Sequence, residues 1–174
     1  NLFADIFARR AQADAMFLGS GSIRGTELGP LVTLGDLRSI FAFDDTLFKL
    51  TITGAQLKKV FSHIMRAENR NSEGECYQVN HGVEAVYLDA SSELESLTLE
   101  GRSATDEGQY TICLQGYHYT NSEPNLGLTN EELTAIHSPT VVTTSARDVL
   151  EEHLRGSQGL SSKVEGRLVF KATP

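Results

Sequence analysis

The hydrophobic pattern of this chain changes character partway along, and that change limits the folds it can adopt. Before residue 68, the clearest apolar pattern has helical spacing, over residues 57–64 behind a capping box of Thr53 and Gln56. Beyond residue 82, apolar runs separated by Gly, Ser and Asp turns predict strands over residues 83–89, 94–99 and 110–115. Because helices and strands do not alternate as regular βαβ units, the sequence predicts an α+β fold of mixed helices and sheets in a single domain, residues 1–174.

Weaker patterns complete the predicted element order. Further helices are predicted over residues 1–13, 33–41, 131–136 and 146–155, the last between Ser145 as N-cap and Gly156 as stop. Short strands are predicted over residues 15–18, 46–52 and 164–170. Two polar segments, residues 68–75 and 117–127, are predicted to be loops.

Composition excludes several classes of protein. The formal net charge is −8 and there is no basic run, which argues against a nucleic-acid polymer as partner. No apolar stretch approaches the roughly 20 residues that a membrane-spanning helix needs, so no transmembrane segment is predicted. The chain begins at Asn1 rather than Met, and we therefore expect it to be part of a longer protein.

The two cysteines, Cys76 and Cys113, form no CxxC motif and have no nearby histidine at a spacing suited to zinc. Both lie in strand-like segments. We expect two buried free thiols rather than a disulfide.

One loop has the composition of an anion site. The apolar residues Phe17 and Leu18 lead into Gly19-Ser20-Gly21-Ser22, and Arg24 follows two positions later. Small residues such as Gly21 and Ser22 let a ligand approach the backbone closely, and the forked donors of arginine fit phosphate or carboxylate oxygens. Neither the dinucleotide fingerprint nor the P-loop pattern is met. The alternative is an ordinary turn with a solvated arginine.

A second segment offers aromatic side chains. Tyr117, His118 and Tyr119 directly follow the predicted strand that ends at residue 115. Tyrosines at such a place can stack on a nucleobase, an interaction worth roughly 1–3 kcal/mol per base. The alternative is that both tyrosines pack at the edge of the core.

Motifs for catalysis are missing from the sequence. The five histidines form no HExxH pattern, and no serine lies in a GxSxG elbow. The adjacent carboxylates Asp44 and Asp45 are predicted to make the turn before residue 46. We therefore predict no catalytic residue and no metal site in this chain, and an enzyme confined to it is not expected.

Five segments carry a family resemblance, in order along the chain: residues 1–5 (NLFAD), 19–24 (GSGSIR), 33–37 (TLGDL), 53–57 (TGAQL) and 74–79 (GECYQV). Together they resemble the C-terminal domain of the 5′-nucleotidase family of metallophosphoesterases, which includes UDP-sugar hydrolases and 2′,3′-cyclic-nucleotide phosphodiesterases. The resemblance covers almost the whole chain.

The resemblance implies a division of labour between two domains. A separate N-terminal domain would hold two divalent metal ions and the catalytic residues, while this domain recognises a nucleotide or nucleoside. Arg24, with the loop residues Gly21 and Ser22, would contact the phosphate, and Tyr117 would stack on the base. Glu123 falls where the family binds the ribose hydroxyls. The resemblance also implies a bacterial protein of nucleotide catabolism that is secreted, periplasmic or on the cell surface.

Three departures from the family pattern concern the site. Gly19 replaces an asparagine that helps to hold phosphate, and Cys76 aligns with the first stacking aromatic, for which Tyr77 could substitute. Residues 121–125 replace the usual Gly-Gly-Asp-Gly segment. The leading hypothesis is thus the substrate-recognition domain of a nucleotide phosphoesterase, inactive on its own. The alternative is a non-catalytic nucleoside-binding or protein-interaction module that kept the fold but lost the site. A free-standing serine or histidine hydrolase has no supporting motif.

Overall fold

The computed structural model describes residues 1–71, 75–161 and 163–172. Its centre is a five-stranded sheet, whose strands are, in spatial order, β3 (Tyr77–Gln78), β1 (Ala15–Gly19), β7 (Gln109–Gln115), β2 (Leu47–Thr53) and β8 (Thr140–Thr143). Strands β1 and β7 are parallel, and the other neighbouring pairs are antiparallel. The carboxyl ends of β1 and β7 therefore lie at the same edge of the sheet, which brings the two predicted ligand-binding segments together.

A second sheet of four strands lies beside the first. In spatial order its strands are β6 (Arg102–Ser103), β5 (Glu93–Leu99), β4 (Val83–Leu88) and β9 (Leu168–Lys171). Strand β9 is parallel to β4, and the remaining pairs are antiparallel. The C-terminal strand thus closes one edge of this sheet.

The helices are α1 (Leu2–Ala11), α2 (Leu34–Ile40), α3 (Gly54–Ile64), α4 (Ala67–Arg70), α5 (Gly116–Thr120), α6 (Ser122–Leu126), α7 (Asn130–Leu133) and α8 (Ala146–Arg155). The predicted capping box is present: the Thr53 hydroxyl accepts a hydrogen bond from the Gln56 backbone N–H, and the Gln56 side chain accepts one from the Thr53 N–H. Such reciprocal bonds satisfy backbone donors that the first helical turn leaves free.

Two hydrophobic clusters cover the two faces of the central sheet. Alternate residues of β1 show this division, because Phe17 belongs to the cluster with α3 and the second sheet, whereas Met16 and Leu18 belong to the cluster with α1, α2 and α8. The side chains of β1 are fully buried on both faces. The sequence of a strand that is buried on both faces is a continuous apolar run, rather than an alternation of apolar and polar residues.

The predicted fold class is confirmed, and so are most of the predicted elements. Helices α1, α2, α3 and α8 and strands β1, β2, β4, β5 and β7 lie where the sequence patterns put them. Helix α7 and strand β9 are shorter than predicted, at Asn130–Leu133 and Leu168–Lys171. The two-residue strands β3 and β6, the exposed strand β8 and the one-turn helix α4 were not predicted, because they are too short or too polar to produce a periodic pattern.

The prediction of a loop over residues 117–127 is wrong, because this segment forms the short helices α5 and α6. Despite their polar composition, these helices have three buried side chains, His118, Ser122 and Leu126, and Gly127 ends the segment in a left-handed conformation at φ 74°. Of the other predicted loop, residues 72–74 lie outside the described residues, and α4 takes up its beginning.

The prediction of two buried thiols holds for only one cysteine. Cys113 is fully buried in β7, and burial raises the pKa of its thiol to about 12. Cys76 is free, as predicted, but exposed, since it precedes the two-residue strand β3 at the sheet edge. Over the described ranges, no helix is long and apolar enough to cross a membrane.

Candidate functional site

A cavity of about 370 Å³ lies where the chain leaves the parallel strands β1 and β7. Its walls come from the loop after β1 (residues 19–24, the 19–24 loop), residues 43–45, Glu75 and the first turn of α5. Four of the residues predicted from the sequence line it: Gly21, Ser22, Arg24 and Tyr117. The fold therefore places the arginine and the aromatic ring of Tyr117 at one cavity. The sequence alone did not determine whether these two side chains would meet.

Hydrogen bonds to three parts of the chain hold the 19–24 loop in place. The Ser20 N–H donates to the Cys76 carbonyl at 2.8 Å, and the Arg24 N–H donates to the Ile40 carbonyl at 2.7 Å. The buried Ser22 hydroxyl donates to Gln115 Oε1 at 2.8 Å, which ties the loop to the end of β7. The loop is thus fixed by its surroundings rather than by its own composition.

The guanidinium of Arg24 is exposed and lies over the ring of Phe43, with 5.1 Å from Cζ to the ring centroid. Such a cation–π contact holds the side chain at the cavity rim without using its N–H donors. Within the part of the chain that the structure describes, no carboxylate forms an ion pair with Arg24. These donors are available to an anion.

Two exposed aromatic rings face the cavity. Tyr117 is 60 % exposed and Phe43 is 57 % exposed, although large apolar rings are usually covered. Phe43 was not predicted as a site residue. The available signal was its position next to the Asp44-Asp45 turn, where a buried side chain is not expected.

The two aspartates lie in an irregular segment before β2 rather than in the predicted turn, and they fix the neighbouring elements. Asp45 Oδ1 accepts a hydrogen bond from the Thr46 N–H, and Oδ2 accepts one from the Tyr117 N–H, both at 2.7 Å. Asp44 accepts from the Ser145 hydroxyl at 2.8 Å and from the Arg147 N–H at 3.0 Å. Asp45 therefore holds the first turn of α5, and with it Tyr117, against the segment that follows Phe43.

A carboxylate–imidazole pair forms the floor of the cavity, and no sequence pattern indicated it. Glu75 Oε2 lies 2.7 Å from His118 Nε2, and Glu75 Oε1 accepts a hydrogen bond from the Gly21 N–H at 2.9 Å. His118 is 2 % exposed. A Cβ atom at Gly19 would overlap Glu75 Oε1 and lie 2.6 Å from His118 Nε2. Glycine at position 19, where the family resemblance implies asparagine, thus leaves the space that the Glu75–His118 pair needs.

The environment of Glu75 stabilises its ionised form. Burial alone would raise the pKa of the carboxyl, but the hydrogen bond and charge of His118, the Gly21 N–H and the charge of Arg24 lower it more. The net result is a pKa below the ordinary value. Glu75 is therefore the negatively charged member of this pair at neutral pH.

Three predicted site residues do not line this cavity. Tyr77 is buried, with its ring edge against His118 at 5.3 Å between centroids, and burial raises the pKa of its hydroxyl. Tyr119 packs on Phe48 at 4.9 Å, in agreement with the alternative of a tyrosine at the core edge. Glu123 is exposed on α6. Tyr77 packs against His118, which lines the cavity, and does not line the cavity itself. A ligand role for Tyr119 or Glu123 stays a prediction.

The sequence of residues 1–125 matches the 5′-nucleotidase C-terminal domain family. The chain belongs to that family. The predicted resemblance is confirmed. In this family the metal ions belong to the N-terminal domain, and the described residues of this chain hold no group of three or more His, Cys, Asp and Glu side chains placed to bind one. No curated protein sequence matches the chain significantly.

Solved structures share the fold of this domain. The 5′-nucleotidase precursor of Thermus thermophilus is similar over 100 % of this chain and 35 % of its own, with 18 % identity and a TM-score of 0.78. NAD nucleotidase of Haemophilus influenzae is similar over 99 % of this chain and 32 % of its own, with 14 % identity and a TM-score of 0.81.

A third similar structure is the sulfate thiohydrolase SoxB of Thermus thermophilus in complex with glycerol. It covers 99 % of this chain and 32 % of its own, with 17 % identity and a TM-score of 0.71. This chain thus spans about a third of the length of the structures it resembles. At these identities the likeness concerns the fold alone.

Proposed function

We propose that this domain recognises the base and the phosphate of a nucleotide for a bacterial phosphoester hydrolase. The parent protein would carry a dinuclear metal site on a separate N-terminal domain, to which this domain presents its ligand. The observation that carries the proposal is the position of Arg24 and Tyr117 on one cavity, with Phe43 beside them. A guanidinium that no described carboxylate pairs with, and two exposed rings, match the charged and flat parts of a nucleotide.

The proposal assigns roles to the residues of the cavity. Arg24 contacts the phosphate from the rim, the 19–24 loop lets the ligand approach the backbone at Gly21, and Tyr117 stacks on the base. The chemical step belongs to the other domain, so the isolated 174-residue chain is expected to bind without turnover. We further propose that the parent acts in nucleotide catabolism outside the cytoplasm, as a secreted, periplasmic or cell-surface protein.

The first test is an NMR titration of the isotope-labelled chain with AMP and with adenosine, in EDTA. Saturable shifts at residues 21–25, 43–45 and 117–118 would support a recognition face that works without metal ions. The absence of shifts at millimolar ligand, or metal-dependent hydrolysis by the purified chain alone, would contradict the proposal.

A second candidate is a non-catalytic nucleoside-binding or protein-interaction module, and one feature favours it. Gly19 lacks the family's phosphate-holding side chain, and the neighbouring Gly21 N–H is already bonded to Glu75. The two candidates differ in the parent protein: hydrolysis of nucleotides that is lost with Arg24→Ala supports the hydrolase, whereas binding without any hydrolysis supports the module.

A further inference from the structure

We infer that Glu75 is a specificity-determining residue of this cavity, which disfavours ligands with a doubly charged phosphate and favours aromatic ligands with one negative charge or none. The inference rests on the proposed function, since it concerns a nucleotide-type ligand at the same site. It also specifies that function, because it names the charge of the ligand that the site accepts.

The first observation is that Glu75 already occupies the backbone donor that an anion would use. Its Oε1 accepts a hydrogen bond from the Gly21 N–H at 2.9 Å. Backbone N–H groups in a loop of small residues are typical phosphate ligands. Here a phosphate oxygen could reach that donor only by displacing a carboxylate.

The second observation is that Glu75 is held in place from two sides. His118, which is 2 % exposed, pairs with Oε2 at 2.7 Å, and the lack of a side chain at Gly19 provides the space for both groups. The Glu75 side chain itself is only 20 % exposed. Displacing it would leave a buried imidazole and a backbone N–H without their partner, which is costly.

The third observation is the balance of charge around the cavity. Among the described residues, three carboxylates line it, those of Asp44, Asp45 and Glu75, and Arg24 supplies the one guanidinium of the lining, while Arg147 lies outside the lining and approaches Asp44 at 4.0 Å. Asp44 and Asp45 hold neighbouring backbone groups, so they cannot turn away without loss of structure. Each negative charge added by a ligand is repelled by this lining, and the repulsion doubles for a phosphate monoester, which carries about two charges above its second pKa near 6.

Neutral ligands meet no such penalty at Glu75. Each carboxylate oxygen can accept more than one hydrogen bond, so the hydroxyl or amino groups of a nucleoside can donate to it. The rings of Phe43 and Tyr117 remain available for stacking whatever the ligand charge.

The test is a charge series on the full 174-residue chain. Dissociation constants for adenosine, 3′,5′-cyclic AMP and AMP are measured at pH 8 in EDTA, by NMR titration. The wild-type chain is expected to bind AMP most weakly of the three. Glu75→Gln, which keeps an oxygen to accept from the Gly21 N–H, is expected to strengthen AMP binding about tenfold and to leave adenosine within about twofold.

The matched control is Glu84→Gln, since Glu84 is exposed on β4, outside the cavity lining, and its removal changes the net charge equally. It is expected to leave all three constants within about twofold. The wild-type series tests the inference even where Glu75→Gln does not fold.

The outcomes separate this inference from the proposed function. Wild-type binding of AMP as tight as that of adenosine, or an equal effect of Glu75→Gln on all three ligands, would overturn the role of Glu75 and leave the proposed function standing. No saturable shift with any of the three ligands would overturn both.

Discussion

Gly19 and Glu75 are fitted to one another, because the carboxylate of Glu75 occupies the space where any side chain at position 19 would begin. The space beside the 19–24 loop, where the family resemblance implies an asparagine side chain, is thus filled by a carboxylate paired with His118. The loop keeps its small residues and its arginine, but an ionised carboxylate lies at its base.

The fit predicts that Gly19→Ala destabilises the fold. The new methyl group would overlap Glu75 Oε1, and overpacking of this kind costs about 1–3 kcal/mol of unfolding free energy. In the background of Glu75→Ala the same substitution is expected to cost less, because the overlapping Glu75 atoms are gone and only His118 Nε2, at 2.6 Å from the new Cβ, must still shift. Urea denaturation of the four variants of this double-mutant cycle measures the coupling.

Gly35→Ala is the control for that cycle. Gly35 lies inside α2, and a Cβ there would meet its nearest neighbour at 3.5 Å, an ordinary contact. Alanine is the better helix former, so no loss of stability is expected. Equal costs of Gly19→Ala with and without Glu75 would contradict the fit.

Glu75 is predicted to contribute to the acid sensitivity of the fold. Its pKa in the folded chain lies below the ordinary value of 4.5, so its stabilising contribution is present above pH 4.5 and is lost as the pH falls through the lowered pKa. A carbon-detected NMR titration of the Glu75 carboxyl should give a midpoint below 4.5. The stability of Glu75→Gln should fall less steeply over the same acid range, and a midpoint above the ordinary value would refute the arrangement.

Arg24 is predicted to distinguish a nucleotide from a nucleoside. Arg24→Ala removes the one guanidinium that the described residues contribute to the cavity lining, and a charge-assisted hydrogen bond to phosphate is worth about 1.5–3 kcal/mol. AMP should therefore bind about tenfold more weakly or worse, with adenosine nearly unchanged. Titration calorimetry compares the two ligands.

Arg38→Ala provides the matched control, because Arg38 is exposed on α2 and does not line the cavity. Like Arg24→Ala, it removes one positive charge, but away from the cavity, and it should leave the affinities for AMP and adenosine within about twofold of wild type. A loss of AMP binding as large as that of Arg24→Ala would mean that net charge, rather than contact, governs binding.

Tyr117 is predicted to supply stacking energy through its exposed ring. Tyr117→Ala should weaken adenosine and AMP alike, by about 1–3 kcal/mol, whereas Tyr117→Phe keeps the ring and should bind nearly as well as wild type. Fluorescence or NMR titration measures both variants. Unchanged binding by Tyr117→Ala would remove this residue from the site.

Phe43→Ala separates the second ring from the first. The Phe43 ring also contacts the guanidinium of Arg24, so removing the ring should weaken the binding of AMP more than the binding of adenosine. An effect on adenosine as large as that of Tyr117→Ala would mean instead that Phe43 stacks on the base itself. An effect on neither ligand would exclude Phe43 from the site.

The amino-acid sequence by itself determined the family and most of the elements. Local patterns were sufficient to predict α3, with its capping box at Thr53, and the buried strand β1, because capping and hydrophobic periodicity depend on residues that are close together in the sequence. Arg24 and Tyr117 were also visible as candidates, since each follows an apolar strand at the start of a polar segment.

Tertiary structure alone decided which candidates meet. The parallel pairing of β1 with β7 brings distant parts of the chain to one sheet edge, as in the hydrogen bond from Ser22 to Gln115 with a separation of 93 residues. The tertiary structure also places Tyr119 against Phe48, and Glu75 against Gly21 and His118. These contacts depend on long-range packing and on the mutual fit of side chains, which no local pattern along the chain records.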